Sequence, residues 1–118
     1  AAYDDAAGVT AEFDKNVLAV LNHELRADFD LERFDHVAVW DETEEWIEMR
    51  LRSRGEQEVR VPALGITLRF ADGEELRTEI SAKFRPERLQ DELLAAELMP
   101  LRFWTDPAGD FALTLSAR

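Results

Sequence analysis

The chain has 118 residues, 46% apolar and 34% charged, with 14 basic against 26 acidic side chains and a net charge of −12. This is ordinary globular composition and one domain's worth of chain. Its negative field excludes nucleic acid and anionic membrane surfaces as natural partners, and no apolar run approaches the roughly 18–20 residues of a membrane span. With no cysteine there is no disulfide framework, thiolate metal ligand or cysteine nucleophile, a usage that fits a reducing cytoplasm.

The opening AAYDDAAGVT has neither an initiator methionine nor the basic and apolar regions of a signal peptide, and reads as a cut within a longer sequence. Ala1 to Gly8 is small and polar and is expected to be flexible. Val9, Phe13, Val17, Val20, Leu21 and Leu25 then recur at helical spacing and predict a long first helix. Glu12 and Asp14 lie in its first turns, where the helix dipole favours negative charge. HVAVW and WIEMRLRSR alternate on either side of the turn segment DETEE, predicting a hairpin over residues 36–53. EVRVP and GITLRF are two further strands, broken at Pro62 and Gly65, and Asp72-Gly73 is a hairpin-turn dipeptide leading into GEELRTEISAKF. Pro86 suits a first helical position, and Leu89, Leu93 and Ala96 give a stripe for a second helix over Pro86–Glu97. LRFWT, DPAGD and FALTLS close the chain as strand, turn and strand. The expected fold class is α+β: an antiparallel strand meander with two flanking helices and a C-terminal strand hairpin.

The five glycines, Gly8, Gly55, Gly65, Gly73 and Gly109, are isolated, so no glycine-rich loop is available to cradle a nucleotide cofactor. His23 and His36 have no second histidine placed to share a metal, and each is expected to be partly solvated or capping. Asp41, Glu42, Glu44 and Glu45 lack the glycine and spacing of a calcium loop and read as a solvated turn. Ser53, Ser81 and Ser116 have no nucleophile-elbow pattern around them, and Trp40, Trp46 and Trp104 are expected in the core. Met49 alternates with Ile47 and Leu51, which reads first as core packing, although a methionine can also shape an apolar wall beside a flat ring. Alternation through GEELRTEISAKF puts Leu76, Thr78 and Ile80 on one face and Arg77, Glu79 and Ser81 on the other. Glu79 and Ser81 then lie about 7 Å apart on one side of the strand. A carboxylate only accepts while a hydroxyl donates or accepts, so the pair suits an imidazole ring, or simply faces water; the residues alone leave both readings open.

Four separated stretches, YDDAAGVTAEFDKNVL, HVAVWDETEEWIEMRL, GEELRTEISAKF and WTDPAGDFALTL, resemble in the same order the C-terminal part of the histidine Nα-methyltransferases of ergothioneine biosynthesis. The resemblance implies a two-domain, S-adenosylmethionine-dependent enzyme that trimethylates the α-amino group of L-histidine to hercynine. It implies that residues 1–84 form the substrate-recognition insertion, while 85–118 return as the helix and final strand pair of a Rossmann-like methyltransferase core. It further implies substrate-binding roles for Tyr3 at the amino-acid end, for Met49 along the side-chain pocket, and for Glu79 and Ser81 at the imidazole. Asp14 stands where that family usually has asparagine and is expected on the helix surface. No catalytic, cofactor or metal residue is implied within this chain, so it is expected to be inactive alone and to bind no cofactor. The other reading is a free-standing α+β binding or interaction module. If the last two strands lack sheet neighbours, a fragment dimer by strand exchange is expected.

Overall fold

A computed structural model describes residues 2–118. The chain divides into two compact units, the first running to Lys83 and the second spanning Phe84–Arg118.

In the first unit, helix α1 spans Val9–Leu25. The segment before it, expected to be flexible, folds back and hydrogen-bonds to the start of the helix, Ala1 itself lying outside the described residues. Asp5 accepts from the backbone N–H groups of Val9 and Thr10 at 3.2 and 2.9 Å, and the Thr10 hydroxyl donates to the Ala2 carbonyl. Asp5 thus satisfies N–H groups that the start of a helix leaves unpaired. Those bonds, Thr10's first, hold its pKa down at about 2.

The helix is where its periodicity predicts, but its buried face is not the predicted stripe. Leu18 is fully buried, with Leu21 and Leu25 packed beside it on the core. Val9 and Phe13 are 64% and 69% exposed, and Val17 and Val20 also face outward. Asp14 is buried one turn before Leu18, on the same face. The apolar arc is broader than one contact needs, so its period locates the helix without saying which part of the arc meets the sheet.

Strands β1 (Phe34–Asp41) and β2 (Trp46–Ser53) form the expected hairpin. β3 (Gln57–Val61) and β4 (Ile66–Phe70) form a second hairpin, and β5 (Glu75–Ala82) follows. The expected meander is interrupted here, because β5 pairs with β2 and not with β4, giving one sheet of order β1-β2-β5 and a separate β3-β4 ribbon. Asp72-Gly73 therefore does not join a strand pair. Gly73 N–H donates to Ser53 O at 2.9 Å and Ser53 N–H to Glu74 O at 2.8 Å, so the turn docks on the end of β2 and starts β5 alongside it. The ribbon closes the core instead of extending the sheet: Val59, Val61 and Phe70 pack with Leu18, Phe29, Phe34 and Leu51. Phe34 and Phe70 meet edge to face at 5.5 Å between ring centres.

In the second unit, α2 spans Pro86–Ala95, and β6 (Met99–Thr105) pairs antiparallel with β7 (Ala112–Ala117). α2 is shorter than predicted because Glu97 turns into the left-handed region at φ 59°, which ends the helix. The buried hydrophobic residues all belong to the first unit. Here Leu101, Phe111, Leu113 and Leu115 are each more than half exposed, and a two-stranded ribbon is marginal by itself in water. The tryptophans are not core residues. Trp40 and Trp104 are nearly half exposed, and the Trp46 indole N–H donates to Glu48. Among the described residues, no helix is long and apolar enough to cross a membrane.

Candidate functional site

A bulge in the sheet builds the site. Met49 pairs with Glu79 and the next residue, Arg50, pairs with Arg77, so Thr78 is an extra residue with no partner on β2. Directly paired residues share a face, and Met49 and Arg50 lie on opposite faces. Arg77 and Glu79 therefore cannot share the single face that unbroken alternation assigned to them. The bulge leaves Arg77 on the outer face and turns Glu79 and Ser81 to the α1 side, the re-aiming that bulges perform in sheets.

On the outer face Arg77 joins a closed charge ladder. Arg50 bridges Glu48 and Glu75, Arg52 reaches Glu75 at 2.6 Å, and Arg77 reaches Glu48 at 3.2 Å. Arg50 first and the Trp46 indole next hold the Glu48 carboxyl down at about 2. These charges are committed to one another.

The α1 side is different. Phe13, Asp14, Asn16 and Val17 of α1 and Thr78 and Glu79 of β5 line an open hollow of about 250 Å³. That is a little below the ~300–1,000 Å³ of ordinary ligand pockets, room for a side chain or one ring rather than a whole cofactor. Glu79 is exposed, and its carboxylate has no hydrogen-bond or ion-pair partner among the described residues. Two residues on, Ser81 and the Tyr3 hydroxyl are 2.9 Å apart, and the Lys83 ammonium donates to both oxygens while lying 4.4 Å from the centre of the Tyr3 ring. Met49 lies beneath Glu79 on β2, 3% exposed. Tyr3, Ser81 and Glu79 thus come together along β5. Met49 is buried behind them, and of these four residues Glu79 alone lines the hollow.

The bond from Lys83, then that from Ser81, holds the Tyr3 hydroxyl below the usual tyrosine pKa. Tyr3 is the only tyrosine in the chain, so tyrosinate absorbance reports it alone. Replacing Lys83 by methionine is expected to raise the Tyr3 pKa towards 10. An unchanged alkaline titration of that variant would remove Lys83 from the cluster.

Besides Phe13, Asn16 and Val17 in the lining, Lys83, Asp14, Thr78 and His36 join the site without having been predicted for it. Lys83 continues the 79, 81 alternation and could have been found that way. Asp14, expected at the surface, is 4% exposed. It is bonded through Oδ2 to His36 Nδ1 at 2.7 Å and through Oδ1 to the Thr78 hydroxyl, which also lies 2.9 Å from the Met49 carbonyl. His36, expected to be solvated or capping, has a side chain only 3% exposed, and its Nε2 donates to the Tyr3 carbonyl at 2.7 Å. A charged residue one turn before a core leucine was the only sign of Asp14, and nothing local marked His36. His23 stays at the surface beside Glu24, as expected. Asp41 caps its own turn by accepting from Thr43 and Glu44 N–H. Among the described residues no group of His, Cys, Asp or Glu could hold a metal ion.

The site is thus an open hollow between one helix and one bulged strand of an antiparallel α+β unit, with a carboxylate at its wall that has no partner among the described residues. Residues 1–118 match the family described as "Histidine-specific methyltransferase, SAM-dependent". The chain is 61% identical over 117 residues to the histidine N-alpha-methyltransferase of Mycolicibacterium smegmatis (strain ATCC 700084 / mc(2)155), and 58% identical to that of Mycobacterium tuberculosis (strain CDC 1551 / Oshkosh). The chain therefore belongs to the histidine-specific, SAM-dependent methyltransferase family. Each alignment covers 99% of this chain and 36% of the relative, so the chain spans about a third of the length of the relatives it matches.

Proposed function

We propose that the chain is the histidine-recognising C-terminal portion of a methyltransferase that trimethylates the α-amino group of L-histidine to hercynine, as in ergothioneine biosynthesis. The observation carrying this is Glu79, an unpaired carboxylate re-aimed by the bulge beside Ser81 at a ring-sized hollow. Glu79 accepts the N–H at one edge of an imidazole, and the Ser81 hydroxyl meets the other ring nitrogen. Tyr3 holds the amino-acid end, and Met49 supports the pocket from behind. Residues 1–84 act as the substrate-recognition insertion, and 85–118 supply the helix and last two strands of a Rossmann-like core. The boundary between the compact units at Lys83 and Phe84 supports that division. So do the exposed apolar side chains of β6 and β7, which would suit neighbours in a larger sheet. As a separate fragment the same ribbon would pair with a second copy by strand exchange. The setting is cytoplasmic.

The residues here do not fit S-adenosylmethionine. Gly8, Gly55, Gly65, Gly73 and Gly109 all sit at isolated turns with positive φ, and none lies in a glycine-rich loop between a strand and a helix. Cofactor binding thus falls to the rest of the enzyme, and this chain alone is inactive. Its contribution to methyl transfer is positional: an unprotonated amine must lie in line with the methyl group, and binding energy at the imidazole end fixes that geometry remotely. The test is incubation of the intact enzyme with S-adenosylmethionine and histidine, followed by mass spectrometry. Trimethylated histidine is expected, with loss of turnover when either ring nitrogen of the substrate is methylated. Equal turnover of both ring-methylated substrates would overturn the imidazole assignment.

A further inference from the structure

We infer that His36 is a positioning residue for the substrate site: through Asp14 and Thr78 it ties the main chain at Tyr3 to the bulge that aims Glu79. The inference rests on the histidine-site reading above; Asp14 and Thr78 line the hollow, and His36 acts through them from behind it.

The geometry is a chain of contacts across five pieces of structure: the N-terminal segment, α1, β1, β2 and β5. His36 on β1 donates from Nε2 to the Tyr3 carbonyl at 2.7 Å, and its Nδ1 lies 2.7 Å from Asp14 on α1. Asp14 takes the Thr78 hydroxyl on its other oxygen, and that hydroxyl also lies 2.9 Å from the Met49 carbonyl on β2. Thr78 is the unpaired residue of the bulge, so what holds its side chain sets the direction of Glu79 beside it. At the other end, holding the Tyr3 carbonyl keeps the Tyr3 hydroxyl on Ser81 and Lys83.

The protons fix the charge state in which this works. The Tyr3 carbonyl can only accept, so Nε2 carries a hydrogen, and a carboxylate at Nδ1 asks for a second one. The clamp is therefore complete when His36 is an imidazolium. Burial pushes His36 down, but the bonds to Asp14 and to the Tyr3 carbonyl outweigh it and leave its pKa above 6.5. The charged groups acting on it are Asp14 on α1 and Asp4 on the N-terminal segment, while Leu51 opposite it on β2 is apolar and β5 joins through Thr78. With a raised folded-state value, the clamp is fully formed below pH 6.5 and is lost as pH rises through that higher value.

Asparagine at position 14 changes the requirement. Its amide can donate to Nδ1 of a neutral imidazole while its oxygen takes the Thr78 hydroxyl, so the contacts survive deprotonation. In the intact methyltransferase, His36→Gln is expected to raise the KM for histidine about tenfold with the KM for S-adenosylmethionine unchanged. Asp14→Asn is expected to change the KM for histidine in a pH-dependent way. Its ratio to the wild-type KM, in which titration of the substrate cancels, should fall as pH is raised from about 6 to about 9. Unchanged histidine kinetics in His36→Gln would overturn the inference. If that variant does not fold, a pH-independent ratio for Asp14→Asn overturns it instead. Glu79→Ala measured alongside separates the two layers. A normal Glu79 effect with no His36 effect ends the positioning role alone, whereas no effect of either ends the histidine-site assignment.

Discussion

Replacing Glu79 by alanine in the intact methyltransferase is expected to raise the KM for histidine by about 10- to 100-fold and to leave the KM for S-adenosylmethionine unchanged. Glu79 has no ion-pair or hydrogen-bond partner among the described residues, so its removal strands no other group and the fold is spared. On the proposed assignment, what is lost is a charge-assisted bond to the ring N–H, worth about 1.5–3 kcal/mol. A site built around that bond also loses its power to reject analogues without the N–H, because such an analogue then desolvates no carboxylate that it leaves unpaired. Weakened discrimination against other amino acids should accompany the higher KM. Normal histidine kinetics in this variant would remove Glu79 from the recognition of substrate.

Phe34→Ala is expected to destabilise the first unit by about 3–5 kcal/mol, measured by urea denaturation. Phe34 is fully buried at the start of β1, packed on Phe29 and Phe70 with ring centres 6.0 and 5.5 Å away. It joins the sheet, the β3-β4 ribbon and the segment after α1, so the cavity left behind has walls on separate elements that cannot all close in. Such a loss is a large share of the 5–15 kcal/mol typical of a whole domain. A change below about 1 kcal/mol would show that the aromatic cluster is not the centre of the core.

Most of the elements were legible because each carries its own periodicity. The helical recurrence through Val17, Leu21 and Leu25, the alternation of HVAVW and of WIEMRLRSR, and the turn signals at DETEE and DPAGD are local properties. They yielded both helices and every strand pair joined by a short turn. The β2-β5 pairing was not legible, because it joins segments separated by a complete hairpin and nothing within either strand names its partner. The site was legible only in part. Glu79 and Ser81 stood out as polar residues at alternating positions, but the buried surroundings of Asp14 and His36 depend on which face of α1 meets the sheet.

By itself, the sequence determined the α+β class, the place of each element, and the chemistry of Glu79 and Ser81 as an acceptor beside a donor-acceptor. Those follow from backbone periods and side-chain groups, which are fixed locally. Only the tertiary structure decided that Thr78 is left unpaired against β2, that Glu79 and Ser81 consequently face α1 while Arg77 faces the charge ladder, and that His36 and Asp14 lie beneath them. The physical reason is that a strand's two faces are told apart by register, and register belongs to the pair: one extra residue on one strand reverses every side chain beyond it.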